Sequence, residues 1–120
     1  MKHANLTQRV IDCFFVAYND LGFGLPENIY SGALEVLFTE SGLPFRREHS
    51  MDVQYRNRRI GIFRLDYLID DVVVVELKAG SVLPLGSKAQ LITYLHVNHK
   101  STGLLLFFGP EPDVQRIDLR

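Results

Sequence analysis

Apolar residues recur at two different spacings, and the change falls near residue 44. Before it, Val10, Cys13, Phe14, Ala17 and Tyr18 repeat every three or four positions, which predicts a helix over about Leu6–Asn19. Gly22 and Gly24 break it. Pro26 suits the first turn of a second helix, and Glu27 there complements the helix dipole. Ile29, Ala33, Val36 and Leu37 carry that helix on, with Tyr30, Leu34 and Phe38 beside them, until Ser41-Gly42 ends it and Pro44 prevents a restart. After Pro44 the period becomes two. Glu48–Tyr55 and Arg59–Ile69 read as strands joined at Arg56-Asn57-Arg58, and Asp70-Asp71 turns the chain into a third strand, Val72–Ala79. A loop with Gly80, Pro84 and Gly86 precedes a helix from Ser87 to about His99, in which Leu91, Tyr94, Leu95 and Asn98 are three or four apart. Gly103–Phe108 is an apolar strand, Gly109-Pro110 a turn, and Val114–Leu119 a short final strand. The order α, α, β, β, β, α, β, β predicts an α/β class fold, a mixed sheet flanked by helices.

Composition narrows this picture. The 120 residues suit a single domain over 1–120, and 47% hydrophobic with 22% charged residues is ordinary globular usage. The net charge of −1 does not advertise nucleic-acid or membrane binding. The charge is uneven, however: Arg46, Arg47, Arg56, Arg58, Arg59 and Arg64 are six of the thirteen basic residues. They make either a local basic surface or a solvated hairpin with charged edges that resist aggregation. The single cysteine, Cys13, excludes an internal disulfide and fits a reducing compartment; beside Phe14 and Phe15 it reads as core. No signal-peptide pattern and no membrane-spanning run is present, so a soluble cytoplasmic protein with no membrane partner is expected.

The stretch VVVVELKAG, residues 72–80, departs from an ordinary buried strand by ending on Glu76 and Lys78. Alternation puts Val74, Glu76 and Lys78 on one face, and Arg64, Asp66 and Leu68 on one face of the preceding strand. A tight turn at Asp70-Asp71 pairs residues whose numbers sum to about 141, which places Asp66 near Val75 and within a diagonal of Glu76. Two converging carboxylates repel unless a cation lies between them. Mg²⁺ is one candidate, because it takes few carboxylates, keeps waters and is completed by phosphate oxygens; the Leu77 backbone carbonyl could be a third ligand. The plain alternative is an ion pair of Glu76 with Lys78 or Arg64. Glu27 alone reads as a helix N-terminal carboxylate. Gln90 and Tyr94, four apart on one helix face, read alone as a surface amide and an amphipathic core tyrosine. His96 and His99 have chelating spacing but no nearby third ligand, and read as favourable charge at a helix C-terminus.

Taken together, Glu27, Asp66, Glu76-Leu77-Lys78 and Gln90 resemble the PD-(D/E)XK nuclease superfamily and its α-β-β-β-α-β core, here with an extra N-terminal helix and a short C-terminal strand. The Gln90-to-Tyr94 spacing looks like the QxxxY motif of its RecB-like branch. The chain is more similar still to a small bacterial family named for the motif GxxExxY, here Gly24 to Tyr30 with Glu27 between. That family's further pattern is matched by LPFRRE at 43–48, the hairpin around Tyr55, RLD at 64–66, VVVVELKA at 72–79, AQLITYL at 89–95 and GLLLFFG at 103–109. Two positions depart: Leu85-Gly-Ser-Lys88 lacks a histidine that relatives carry, and Phe107 replaces an asparagine. Both bear on substrate contacts more than on metal binding.

The resemblance implies that Asp66, Glu76 and the Leu77 carbonyl bind Mg²⁺ or Mn²⁺. It implies that Lys78 positions the hydrolytic water, that Glu27 acts through a metal-bound water or a second ion, and that Gln90 and Tyr94 orient the site. It implies phosphodiester hydrolysis leaving a 5′-phosphate, on DNA more than RNA, in DNA repair or phage defence. Arg46, Arg47, Arg58, Arg59 and Arg64 would contact the nucleic-acid backbone. A small chain leaves little room for a specificity domain, so a homodimer or another partner would select the substrate. The competing class is an inactive module of the same fold that binds nucleic acid or a protein. A third is a structural homo-oligomer in which the ion pairs only stabilise.

Overall fold

A computed structural model describes residues 2–119; the two ends of the expected domain, Met1 and Arg120, lie outside them. The elements are α1 (Ala4–Leu21), α2 (Glu27–Glu40), β1 (Phe45–Tyr55), β2 (Arg58–Ile69), β3 (Val73–Ala79), α3 (Ser87–Val97), β4 (Thr102–Phe108) and β5 (Pro112–Asp118). All eight are those the sequence pattern predicts, in a mixed α/β architecture. The strands form one sheet in the order β1-β2-β3-β4-β5. Every neighbouring pair is antiparallel except β3 and β4, which are parallel and joined through α3.

The helices cover opposite faces of the sheet. Val10, Phe14 and Ala17 of α1 and Tyr30, Leu34 and Phe38 of α2 pack with Tyr67, Ile69, Val73, Val75, Leu77 and Phe108. On the other face Leu91 and Leu95 of α3 pack with Leu65, Leu68, Val74, Leu105 and Ile117. Covered on both sides, β4 is buried along its whole length, which explains its unbroken apolar run. Gly103 lets α3 approach: a Cβ there would stand 3.1–3.2 Å from Leu91 and Leu95. Phe108 ties both helices of the first layer to the sheet, edge-on to Phe14 at 4.7 Å and stacked on Tyr30 at 4.1 Å.

Boundaries shift where packing overrides the local pattern. β1 starts at Phe45 rather than Glu48, because the Phe45 ring packs against Phe38 and Tyr67. α3 stops at Val97, short of His99: His99 takes a left-handed φ of 55° and the Lys100 N–H returns to the Leu95 carbonyl at 2.9 Å, closing the helix end. β2 pairs with β3 only over Tyr67–Ile69, while β1 and β2 stay paired out to Tyr55 and Arg58. The hairpin therefore projects from a molecule with extents of 46 × 30 × 24 Å. Among the described residues no helix is long and apolar enough to cross a membrane.

Candidate active site

One extra residue in a turn sets the register of the central hairpin. Asp70 and Asp71 have φ of 49° and 61°, and the Val72 N–H bonds to the Ile69 carbonyl at 3.0 Å. Ile69 nevertheless pairs with Val73, leaving Val72 in the connection. Paired numbers thus sum to 142 rather than the expected 141, and Asp66 comes opposite Glu76 instead of Val75. The Asp66 N–H points at Glu76 Oε1 (3.3 Å), and Asp66 Oδ2 accepts the Leu77 N–H at 2.7 Å.

The second departure lies in β2 itself. Leu65 and Leu68 both pack beneath α3, although they are three residues apart, and Phe63 reaches the Tyr94 ring at 4.3 Å. Strict alternation forbids this. In β1, Phe45 packs on the α2 side while Met51 packs on the α3 side, an equal violation. Both strands reverse faces at one rung, where Glu48 has φ of 52° and no pairing joins it to Asp66. Arg64, Asp66 and Leu68 therefore do not share a face, as alternation alone predicted. The reversal leaves the Asp66 carboxylate beside β3, where it captures the Leu77 N–H. Irregular rungs of this kind re-aim side chains next to active sites.

The electrostatics follow from this placement. Glu76 is 9% exposed, and its carboxyl is pushed up to about 8, first by burial and then by the Asp66 carboxylate; Lys78 opposes the shift. Glu27 is raised by partial burial, then by Asp66, and lowered by Lys78. The Tyr94 hydroxyl is raised by burial and then by Glu76, and lowered by Gln90. All six side chains singled out in the sequence thus lie within one electrostatic neighbourhood. Among the described residues, no basic side chain stands within 4.0 Å of Glu76 or Asp66, so the simple ion pair with Lys78 or Arg64 does not form.

Glu27 reaches this neighbourhood through a fixed loop. Gly24 has φ of 110°, which a side chain would resist. Pro26 then leads into α2 with Glu27 at its first position. Tyr30, fully buried, donates its hydroxyl to the Gly22 carbonyl and accepts the Leu25 N–H at 3.2 Å. A cleft of about 250 Å³ opens beside it, lined by Glu27, Asn28, Ser31, Arg47, Glu48, Asp66 and Leu77.

A sequence model of the PD-(D/E)XK nuclease superfamily matches residues 4–117. The chain belongs to this superfamily. Its fold is also similar to that in the crystal structure of SSO0001, with a TM-score of 0.58 and 22% identity. The match covers 98% of this chain but 59% of that one, so the chain spans little more than half the length of its structural relative. No curated protein matches it.

Nucleases of the PD-(D/E)XK superfamily generally use divalent metal ions. Among the described residues no three His, Cys, Asp or Glu side chains form a ready-made metal cage, His96 and His99 included. The donor set present still fits an ion such as Mg²⁺, which binds through one or two carboxylates plus waters and substrate phosphate. Asp66 and Glu76 would supply the two carboxylates. In an extended strand the N–H and C=O of one residue point the same way, so the Leu77 carbonyl faces the Asp66 side.

Of the five arginines expected at a nucleic-acid backbone, two are ion-paired within the chain. Arg47 is held by Glu35 of α2 at 2.6 Å, with its Nε buried and unpartnered. Arg59 pairs with Asp52 at 3.3 Å. Arg46, Arg58 and Arg64 are exposed. Glu48 escaped the sequence pattern altogether, because nothing in a Glu within an alternating run signals a positive φ.

Proposed function

We propose that this chain is a divalent-metal-dependent nuclease of the GxxExxY type, within the RecB-like branch, hydrolysing phosphodiester bonds of DNA in preference to RNA. One observation carries the reading. Two converging carboxylates, Glu76 buried and Asp66 half-buried, lie beside Lys78 without pairing to any base. A fold stabilised for its own sake would pair or remove such a Glu, because a buried carboxyl beside a second carboxylate costs stability.

Asp66, Glu76 and the Leu77 carbonyl would hold the ion, Mg²⁺ or Mn²⁺. Such an ion supplies charge neutralisation at the phosphate and lowers the pKa of water. Lys78, on the same strand face as Glu76, orients the attacking water and offsets negative charge building on the phosphate oxygens. Glu27, at the mouth of the cleft, accepts a hydrogen bond from water on the other side. Gln90 and Tyr94 hold the Glu76 side of the site in place from α3. The product carries a 5′-phosphate, and roles in DNA repair or phage defence suit this chemistry. The alternative, an inactive module of the same fold, fits less well because neither carboxylate nor the lysine has been lost.

Calorimetric titration of Mg²⁺ and Mn²⁺ into the wild type and Glu76→Ala, with cleavage assays on single- and double-stranded DNA and RNA, tests the proposal. Ion binding and cleavage that both vanish in Glu76→Ala are expected. A wild type that binds neither ion would sink it.

A further inference from the structure

Beyond Asp66 the sheet narrows to two strands. Pairing continues from His49 and Leu65 to Tyr55 and Arg58 with no third strand alongside. The ribbon is closed by Arg56 and Asn57, whose φ of 50° and 65° mark the two-residue turn that matches strand twist. The ribbon, residues 49–65, carries four arginines against one acid, Asp52, which pairs with Arg59, in a chain of net charge −1. Ile60 and Ile62 stand 66% and 51% exposed.

We infer that this ribbon is an arm that enters a groove of double-stranded nucleic acid, an inference that rests on the nuclease reading above. The major groove admits a two-stranded β-ribbon. A groove has phosphate walls on both sides, and the arm carries cations on both faces. Arg58 pairs opposite Tyr55 on the face turned toward α3, whereas Arg59 and Arg64 pair opposite Gln54 and Ser50 on the other. The register shift at Val53/Gln54 leaves Ile60 unpaired, and bulges of this kind add the twist that a ribbon needs to follow a helical groove. A single strand would instead need a row of stacking aromatics. Tyr55 is the arm's exposed aromatic, and the Arg56 guanidinium already lies 5.6 Å over its ring. A second copy of the chain fits poorly, since two such arms would bring arginines together. At ~3.3 Å per residue the arm reaches about 30 Å from Asp66 to Asn57, or about nine base pairs.

The test is fluorescence anisotropy without divalent ions, on a duplex about twice that reach and on one of its strands, across a salt series. The proteins are wild type, Arg58→Ala alone, and the triple variant Arg56→Ala, Arg58→Ala, Arg59→Ala. Wild type should prefer the duplex. The triple variant should lose roughly 100-fold duplex affinity at low salt, with the log–log salt slope falling by about three and single-strand binding unchanged. Arg58→Ala should lower the slope by about one. Equal losses on both forms, unchanged duplex binding, or self-association that the triple variant abolishes would each overturn the arm. Arm-dependent duplex binding in a wild type that neither binds metal nor cleaves would overturn the nuclease reading alone. Cleavage with arm-independent binding would overturn the arm alone.

Discussion

Glu76 sits where its chemistry opposes its surroundings. Burial and Asp66 raise its carboxyl from 4.5 to about 8, so the folded chain keeps a proton that the unfolded chain releases. Between those values the folded state binds more protons, and stability falls as pH rises. Without divalent ions, the melting temperature should drop from pH 5 to pH 8. Glu76→Gln should flatten that slope and raise stability at pH 8, while ending ion binding; thermal melts over a pH series check both. An unchanged slope in Glu76→Gln would show that other groups set it. That Glu27, Asp66, Glu76, Lys78, Gln90 and Tyr94 gather in one neighbourhood was readable from type and order. The face of Asp66 was not, because the reversal depends on a left-handed Glu48, a conformation that costs most residues ~1–2 kcal/mol and leaves no mark in a one-letter code.

At the scale of elements, two contacts hold the site in place from a distance. Tyr30 fastens the 22–25 loop that delivers Glu27. Tyr30→Phe should cost about 1 kcal/mol, read by urea unfolding, and lower kcat more than KM as the carboxylate loses its fixed approach. Gly103 sets the depth of α3. Gly103→Ala would push Leu91 and Leu95 outward, costing about 1–3 kcal/mol and shifting Gln90 and Tyr94, with a loss of activity larger than the stability change explains. Existence and order of the elements followed from the spacing of apolar residues, three or four apart in the helices and alternating or unbroken in the strands, and a face reversal within β1 and β2 does not erase that signal. The pairing register did not, because one residue, Val72, decides between sums of 141 and 142 and tertiary packing chooses.

At the scale of the whole molecule, an ion held as proposed would be a structural partner as well as a chemical one. At a hundredfold excess over its Kd, Mn²⁺ should stabilise the fold by about 2.7 kcal/mol, and the effect should be absent in Asp66→Ala; differential scanning fluorimetry reads this directly. The uneven charge seen in the sequence becomes an arm only once it is known that β3 stops pairing at Tyr67, and no local pattern states where a neighbouring strand ends. That ending has an evolutionary consequence. Rungs past Asp66 are shared by β1 and β2 alone, so residues can be added or deleted in matched pairs near Arg56-Asn57 without moving any group in the cleft. Descendants of this chain are free to change what they grip by length alone, while the chemistry at the base of the hairpin is inherited untouched.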